Sequence, residues 1–130
     1  MVLPNGAVRT AMFVSITNNR GQAGLDGRPM CDADMARGFW RIRDFAKANA
    51  CQVLVAIDKS QIVGVWNMNC TVGWQQGAPG AIPNRQFSNK DRLRYYCELT
   101  GCCREAQEVV GSSIRSVTDG KTMHGPIMYL

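Results

Sequence analysis

Residues 51–70 read CQVLVAIDKSQIVGVWNMNC, and the pattern in this stretch decides the fold class. Cys51 to Ile57 is an apolar run rich in β-branched residues, Asp58-Lys59-Ser60-Gln61 is a tight polar connection, and Ile62 to Cys70 returns as a second strand. Together they predict a β-hairpin. In the returning strand Ile62, Gly64, Trp66 and Met68 share one face, while Val63, Val65, Asn67 and Asn69 share the other. Its first half is apolar on both faces and should be buried twice. Gly64, lacking a side chain in mid-strand, marks the bend or bulge that a curling sheet needs.

Upstream, residues 11–17, AMFVSIT, predict a strand that runs into the turn Asn18-Asn19-Arg20-Gly21. Residues 19–31 carry no apolar period and read as a loop. Asp32 is placed to cap a helix ending near Asn49, because Met35, Phe39, Ile42 and Ala46 recur at helical spacing. Downstream, residues 71–91, TVGWQQGAPGAIPNRQFSNKD, form a long polar stretch punctuated by Gly and Pro, and loops of this length are usually functional or disordered. Residues 92–99 alternate, with Leu93, Tyr95, Cys97 and Leu99 on one face and Arg92, Arg94, Tyr96 and Glu98 on the other, as in a half-buried strand. Thr100 is placed to cap a short helix through Arg104 to Val110, with Ala106, Val109 and Val110 inward and Gly111 ending it. Pro126 to Leu130 closes the chain as a short strand.

This order predicts an α+β fold, a curled, mainly antiparallel β-sheet or barrel with two helices, the longer within residues 32–49. Short connections favour antiparallel pairing, and the βαβ alternation of a doubly wound sheet is missing. At 130 residues the chain fits a single domain, 1–130. Its 45% hydrophobic and 19% charged residues supply enough apolar surface to argue against disorder.

The longest apolar runs, Val53 to Ile57 and Ile62 to Trp66, fall far short of the roughly 20 residues that cross a bilayer, so no membrane partner is expected. The start, MVLPNGAVRT, lacks the basic, apolar and small-residue regions of a secretory signal, and a cytoplasmic setting is expected. The net charge is +5, and eleven of the fifteen basic residues are arginine. Planar guanidinium forks suit phosphate and guanine edges, which points to an anionic partner, nucleic acid above all. A generally basic surface with no polyanion partner is the plainer alternative.

Six cysteines without any sign of secretion are expected to be free thiols, with Cys51, Cys70 and Cys97 acting as small buried hydrophobes. Cys97, Cys102 and Cys103 are the only close set and lack a second C-x-x-C, while the single histidine, His124, lies in a turn. No metal and no cofactor are expected. No nucleophile elbow, phosphate loop or paired metal-binding histidine motif occurs, which favours binding over catalysis.

Several segments together resemble a PUA-like family found near bacterial restriction and defence genes, related to the EVE, YTH and ASCH branches. They are FVSITNN (13–19), RGFWRI (37–42), VLVAIDKSQIVGVWNM (53–68) followed by Trp74, RLRYYCELTG (92–101) and VGSSIRSVTDGKTMHGPIMYL (110–130). The resemblance implies a curled β-barrel with a pocket or groove for nucleic acid, which in the EVE and YTH branches takes an extruded, modified base into an aromatic cage. Where that family ends in an Asn-Pro-Ile-Arg-Tyr type segment, this chain has Gly125-Pro126-Ile127-Met128-Tyr129 and so lacks the arginine. The ASCH branch also contains amidohydrolases using Thr, Lys and Glu, for which Lys59 and Glu98 would be the pair here. A small basic domain of this kind equally suits a protein-binding inhibitor or adaptor of a defence complex.

A base-binding cage needs flat apolar faces, polar groups that read the base edge, and cations for phosphate. Trp40, Trp66 and Trp74 are the candidate walls. Trp40 follows Phe39 on the predicted helix, so one of the two leaves the apolar stripe; Trp66 reads as core; Trp74 lies just past the hairpin, where periodicity does not demand burial. Asn18 and Asn19 offer paired donors and acceptors, or are simply turn asparagines. Arg85, Lys90, Arg92 and Arg94, with Phe87 among them, suit phosphate contact, or form a solvated loop. From the cysteine and histidine pattern we predict that elemental analysis of the purified protein finds no stoichiometric zinc; zinc whose removal unfolds the domain would overturn this.

Overall fold

Ala11, Met12, Phe13 and Val14 expose no surface at all, because the strand they form, β1 (Ala11–Ser15), lies inside a sheet that is covered on both faces. In the computed structural model the described residues are 1–18, 20, 28, 30–76 and 94–130, with Phe39 described by its backbone alone. After β1 come α1 (Asp32–Ala36), β2 (Gly38–Arg41), α2 (Phe45–Ala50), β3 (Val53–Asp58), β4 (Gln61–Met68), β5 (Gln75–Gln76), β6 (Arg94–Tyr96) and β7 (Leu99–Cys102). Two 3₁₀ segments, Arg104–Val109 and Ile114–Ser116, lead to β8 (Ile127–Tyr129). The class is α+β, with a five-stranded sheet in the order β7-β4-β3-β1-β8 and a three-stranded sheet in the order β2-β6-β5. The strand pairs are antiparallel except β1 with β3, which run parallel from Ala11 opposite Val53 to Ser15 opposite Ile57. Neither sheet closes into a barrel.

Alternation sorts the large sheet's side chains into two cores. Met12, Val14, Leu54, Ala56 and Met68 point to one side, where Met35, Ala36, Trp40 and Ala48 from the helices and β2 cover them. Phe13, Val53, Val55, Ile57, Ile62 and Val65 point to the other, beneath Met1, Leu3, Ala106, Val109 and Ile114. A two-sided sheet explains why Val53 to Ile57 carries no polar residue. Arg20 bonds Asp58 at 2.6 Å and Asp32 at 3.1 Å, tying the chain beyond β1 to the hairpin turn and to α1. The Arg20 bond, with a second hydrogen bond from Thr17, holds the Asp58 carboxyl below its usual value.

Four sequence expectations need correction. The continuous helix over 32–49 is instead two short helices with β2 between them, because Gly38, Trp40 and Arg41 pair with Tyr96, Tyr95 and Arg94 on β6. The Asp44 carboxylate then caps a fresh start at α2 by accepting from the Lys47 amide at 3.0 Å. The alternating run over 92–99 is not one strand: β6 belongs to the small sheet and β7, from Leu99, to the large one. Thr100 lies in β7 rather than capping a helix, and Val110 is exposed although Ala106 and Val109 are buried as expected. The parallel β1–β3 pair was also not expected, since its partners lie on either side of a long crossover.

The bulge read at Gly64 is present. Ile57 pairs with Ile62 but Ala56 pairs with Gly64, so Val63 is the extra residue and the alternation shifts phase there. Ile62 consequently faces the second core, whereas Trp66 and Met68 join the first. The Trp66 indole folds back over Gly64, and a Cβ at 64 would overlap its six-membered ring. Gly64→Ala is therefore expected to destabilise the fold by about 1–3 kcal/mol, the usual cost of overpacking. Urea unfolding checks this, and a Trp66→Leu background, which removes the ring, should abolish most of the penalty.

Candidate functional site

The crossover from β1 to β3 ends beside β8, the edge strand on β1's other flank, and a cavity of about 540 Å³ opens between them. One wall is Arg41, Arg43, Asp44 and Arg94; the other is Pro126, Ile127 and Tyr129 from the β8 segment. Ile127 and Tyr129 alternate onto the same face of β8 because Val14 and Met12, their partners, face the first core. Arg41 stands directly opposite Arg94 in the β2–β6 register. Like charges placed opposite one another across strands oppose pairing, by up to about 1 kcal/mol.

Three other arginines in the described chain are matched to acids: Arg9 to Glu105 at 2.7 Å, Arg20 to Asp32 and Asp58, and Arg37 to Asp34 and Glu98. Arg41 and Arg43 form no ion pair among the described residues, and both are exposed. Asp44 is the one acid among the described residues of the cavity wall, and one of its oxygens already accepts from the α2 backbone. The described lining therefore keeps a net positive charge suited to an anion. Tyr129 also lines a smaller cavity of about 260 Å³, together with Thr10, Lys47, Ala50, Cys51 and Leu130. Burial raises the Tyr129 phenol above its ordinary 10.0, with Cys51 and then Asp44 adding to the effect, so the phenol stays neutral.

Of the residues singled out in the sequence, Arg94 reaches this cavity, where it is half-buried. Trp40 and Trp74 do not present open faces: they are 6% and 8% exposed and belong to the first core. Trp40 donates its indole N–H to the Ala36 carbonyl at 2.7 Å, which fastens β2 to α1. Trp74 is drawn inward because the Asn49 carboxamide on α2 accepts from its backbone N–H at 3.0 Å. That side chain fits only because Gly73, at φ +70°, offers no Cβ to meet it. The indole nitrogen of Trp74 is buried without a hydrogen-bond partner among the described residues. Asn18 is exposed and is not among the residues lining either cavity. Asn19, Arg85, Lys90 and Arg92 lie outside the described residues.

Lys59 and Glu98, the amidohydrolase pair, are not brought together. Lys59 sits in the hairpin turn at one end of β4, whereas the Glu98 carbonyl accepts from Asn69 beyond the other end, roughly 25 Å away along an eight-residue strand. Glu98 is instead paired with Arg37 at 3.1 Å.

Sequence reasoning missed Arg41, Arg43 and Tyr129. A signal for the first two was present: in residues 40–43 the buried Trp40 and Ile42 alternate with the exposed Arg41 and Arg43, a period of two rather than of a helix. No family model matches the chain, and no match was found among curated proteins or among solved structures.

The six cysteines are free thiols, three buried (Cys51, Cys97, Cys103) and three exposed (Cys31, Cys70, Cys102), so Cys70 departs from the buried role expected of it. Burial pushes Cys97 up to about 12 and Cys51 to about 11, from an ordinary 9.0. Since the unfolded chain ionises these thiols near 9.0 and the folded chain holds their protons longer, their contribution is whole below that pH and is lost as pH climbs toward 11 and 12. Two outcomes are expected. A chromogenic disulfide reagent should titrate Cys31, Cys70 and Cys102 rapidly in the native protein and the other three only after unfolding. Urea midpoints should fall from pH 9 upward, and replacing Cys97 by Ala should reduce that fall.

Proposed function

We propose that the protein is a nucleic-acid-binding module whose contact site is the cavity between β2, β6 and β8. The observation that carries the reading is a pair of exposed arginines, Arg41 and Arg43, that form no ion pair among the described residues and line a cavity walled by Tyr129. Guanidinium forks with no carboxylate partner suit a phosphate, which accepts from them in bidentate fashion. Tyr129 supplies the flat face on which an unpaired base stacks, the part earlier assigned to Trp74. The +5 net charge and the excess of arginine over lysine support the same partner class. In a PUA-like domain of the defence-associated kind this cavity is where an extruded or modified base would be held, and the protein would act by binding.

Titration of fluorescent single-stranded and duplex oligonucleotides, with and without modified bases, at two ionic strengths tests the reading. Arg41→Gln should weaken binding and flatten the dependence of log K on log salt by about 0.7–0.9 for the lost phosphate contact. Tyr129→Leu should weaken it by about 1–3 kcal/mol at both salt concentrations and leave the slope unchanged, because stacking releases no counterions. If no oligonucleotide binds at low salt, or Arg41→Gln changes neither affinity nor slope, the reading fails. A protein partner, as for an inhibitor or adaptor of a defence complex, then takes its place.

A further inference from the structure

The two cavities share one wall. Tyr129 lines both, and α2 serves both as well: Asp44 at its cap faces the larger cavity and Lys47, one turn on, lines the smaller. Resting on the nucleic-acid reading above, we infer that the ligand is a single strand gripped over two adjacent nucleotides. In this arrangement Tyr129 lies between the bases, one phosphate sits at Arg41 and Arg43, and the next sits at Lys47.

Size supports an extension rather than a separate site. At about 540 Å³ the larger cavity falls within the roughly 300–1,000 Å³ typical of small-ligand sites, while the smaller, at about 260 Å³, falls just short. Charge supports it too. Lys47 is exposed and forms no ion pair among the described residues, so each cavity has its own cation free to meet a phosphate. Chemistry chooses the single strand. Tyr129 is half-buried, and a base reaches a recessed ring only when it is not already paired and stacked.

The test is a competition titration against a fluorescent ten-nucleotide strand, using unlabelled 5′-mononucleotide, 5′-phosphorylated dinucleotide, tetranucleotide and a duplex. Affinity should rise by about tenfold from mononucleotide to dinucleotide, the second base and phosphate entering together, and by less than about threefold per further nucleotide. Lys47→Gln should lower dinucleotide affinity about fivefold and leave mononucleotide affinity unchanged, Lys47→Arg should restore it, and Arg41→Gln should weaken both ligands. Equal affinity for mononucleotide and dinucleotide, or a Lys47→Gln effect that is absent or identical for the two, overturns the two-nucleotide site. If Arg41→Gln still weakens binding in that case, the nucleic-acid reading stands without it. Absence of binding by every competitor and by the ten-nucleotide strand overturns both.

Discussion

The parallel pairing of β1 with β3 is the constraint on which the rest of the molecule depends. Two parallel strands cannot be joined by a tight turn, so the chain must leave the end of β1 and travel back over a face of the sheet before β3 begins. Residues 16–52 make that journey and carry α1, β2 and α2 with them. They cover one face of a sheet whose central strands are apolar on both, while the N-terminal residues and the 3₁₀ segments cover the other. Three basic residues lining the two cavities, Arg41, Arg43 and Lys47, lie on this crossover. Their meeting with Tyr129 follows from β8 being β1's other neighbour.

Electrostatics then divides the arginines into two kinds. Arg9, Arg20 and Arg37 are bound to carboxylates and connect distant segments of chain. The exposed pairs of Arg9 and Arg20 contribute little stability one by one, in the range of about 0–1 kcal/mol, and chiefly hold segments in register. Arg41 and Arg43 have no such carboxylate among the described residues, and Arg41 lies in a small sheet whose strands are only two to four residues long.

Where local pattern and tertiary demand agreed, the sequence was legible. The hairpin, β1, the tail strand and the bulge at Gly64 all follow from periodicity and from one missing side chain. Residues 32–49 were not legible as they fold, because Met35, Phe39, Ile42 and Ala46 do recur at helical spacing. The partner that overrides that spacing, β6, lies more than fifty residues away. The run over 92–99 misled for the same reason: its alternation continues through Cys97 and Glu98, where the chain passes between sheets. Trp74 looked free because no period claims it, yet a hydrogen bond from its backbone to Asn49 settles its burial, and no sequence window spans both residues. Arg94 was found as a basic residue, but its counterpart across the ladder, Arg41, lies inside the stretch read as one helix and was not singled out.

The segment Pro126, Ile127 and Tyr129 has two tasks at once: it lines the larger cavity, and through Ile127 and Tyr129 it zips onto β1. The cavity therefore exists only while this edge strand is docked. Docking of an edge strand and occupancy of the pocket become two descriptions of one equilibrium, since whatever binds only the docked form pulls the strand into place by mass action. Fraying at this edge, where local opening costs least in most folds, would empty the site without disturbing the buried centre of the sheet. Amide exchange along β8 would then respond to ligand concentration, so the stability of one strand reports how full the site is.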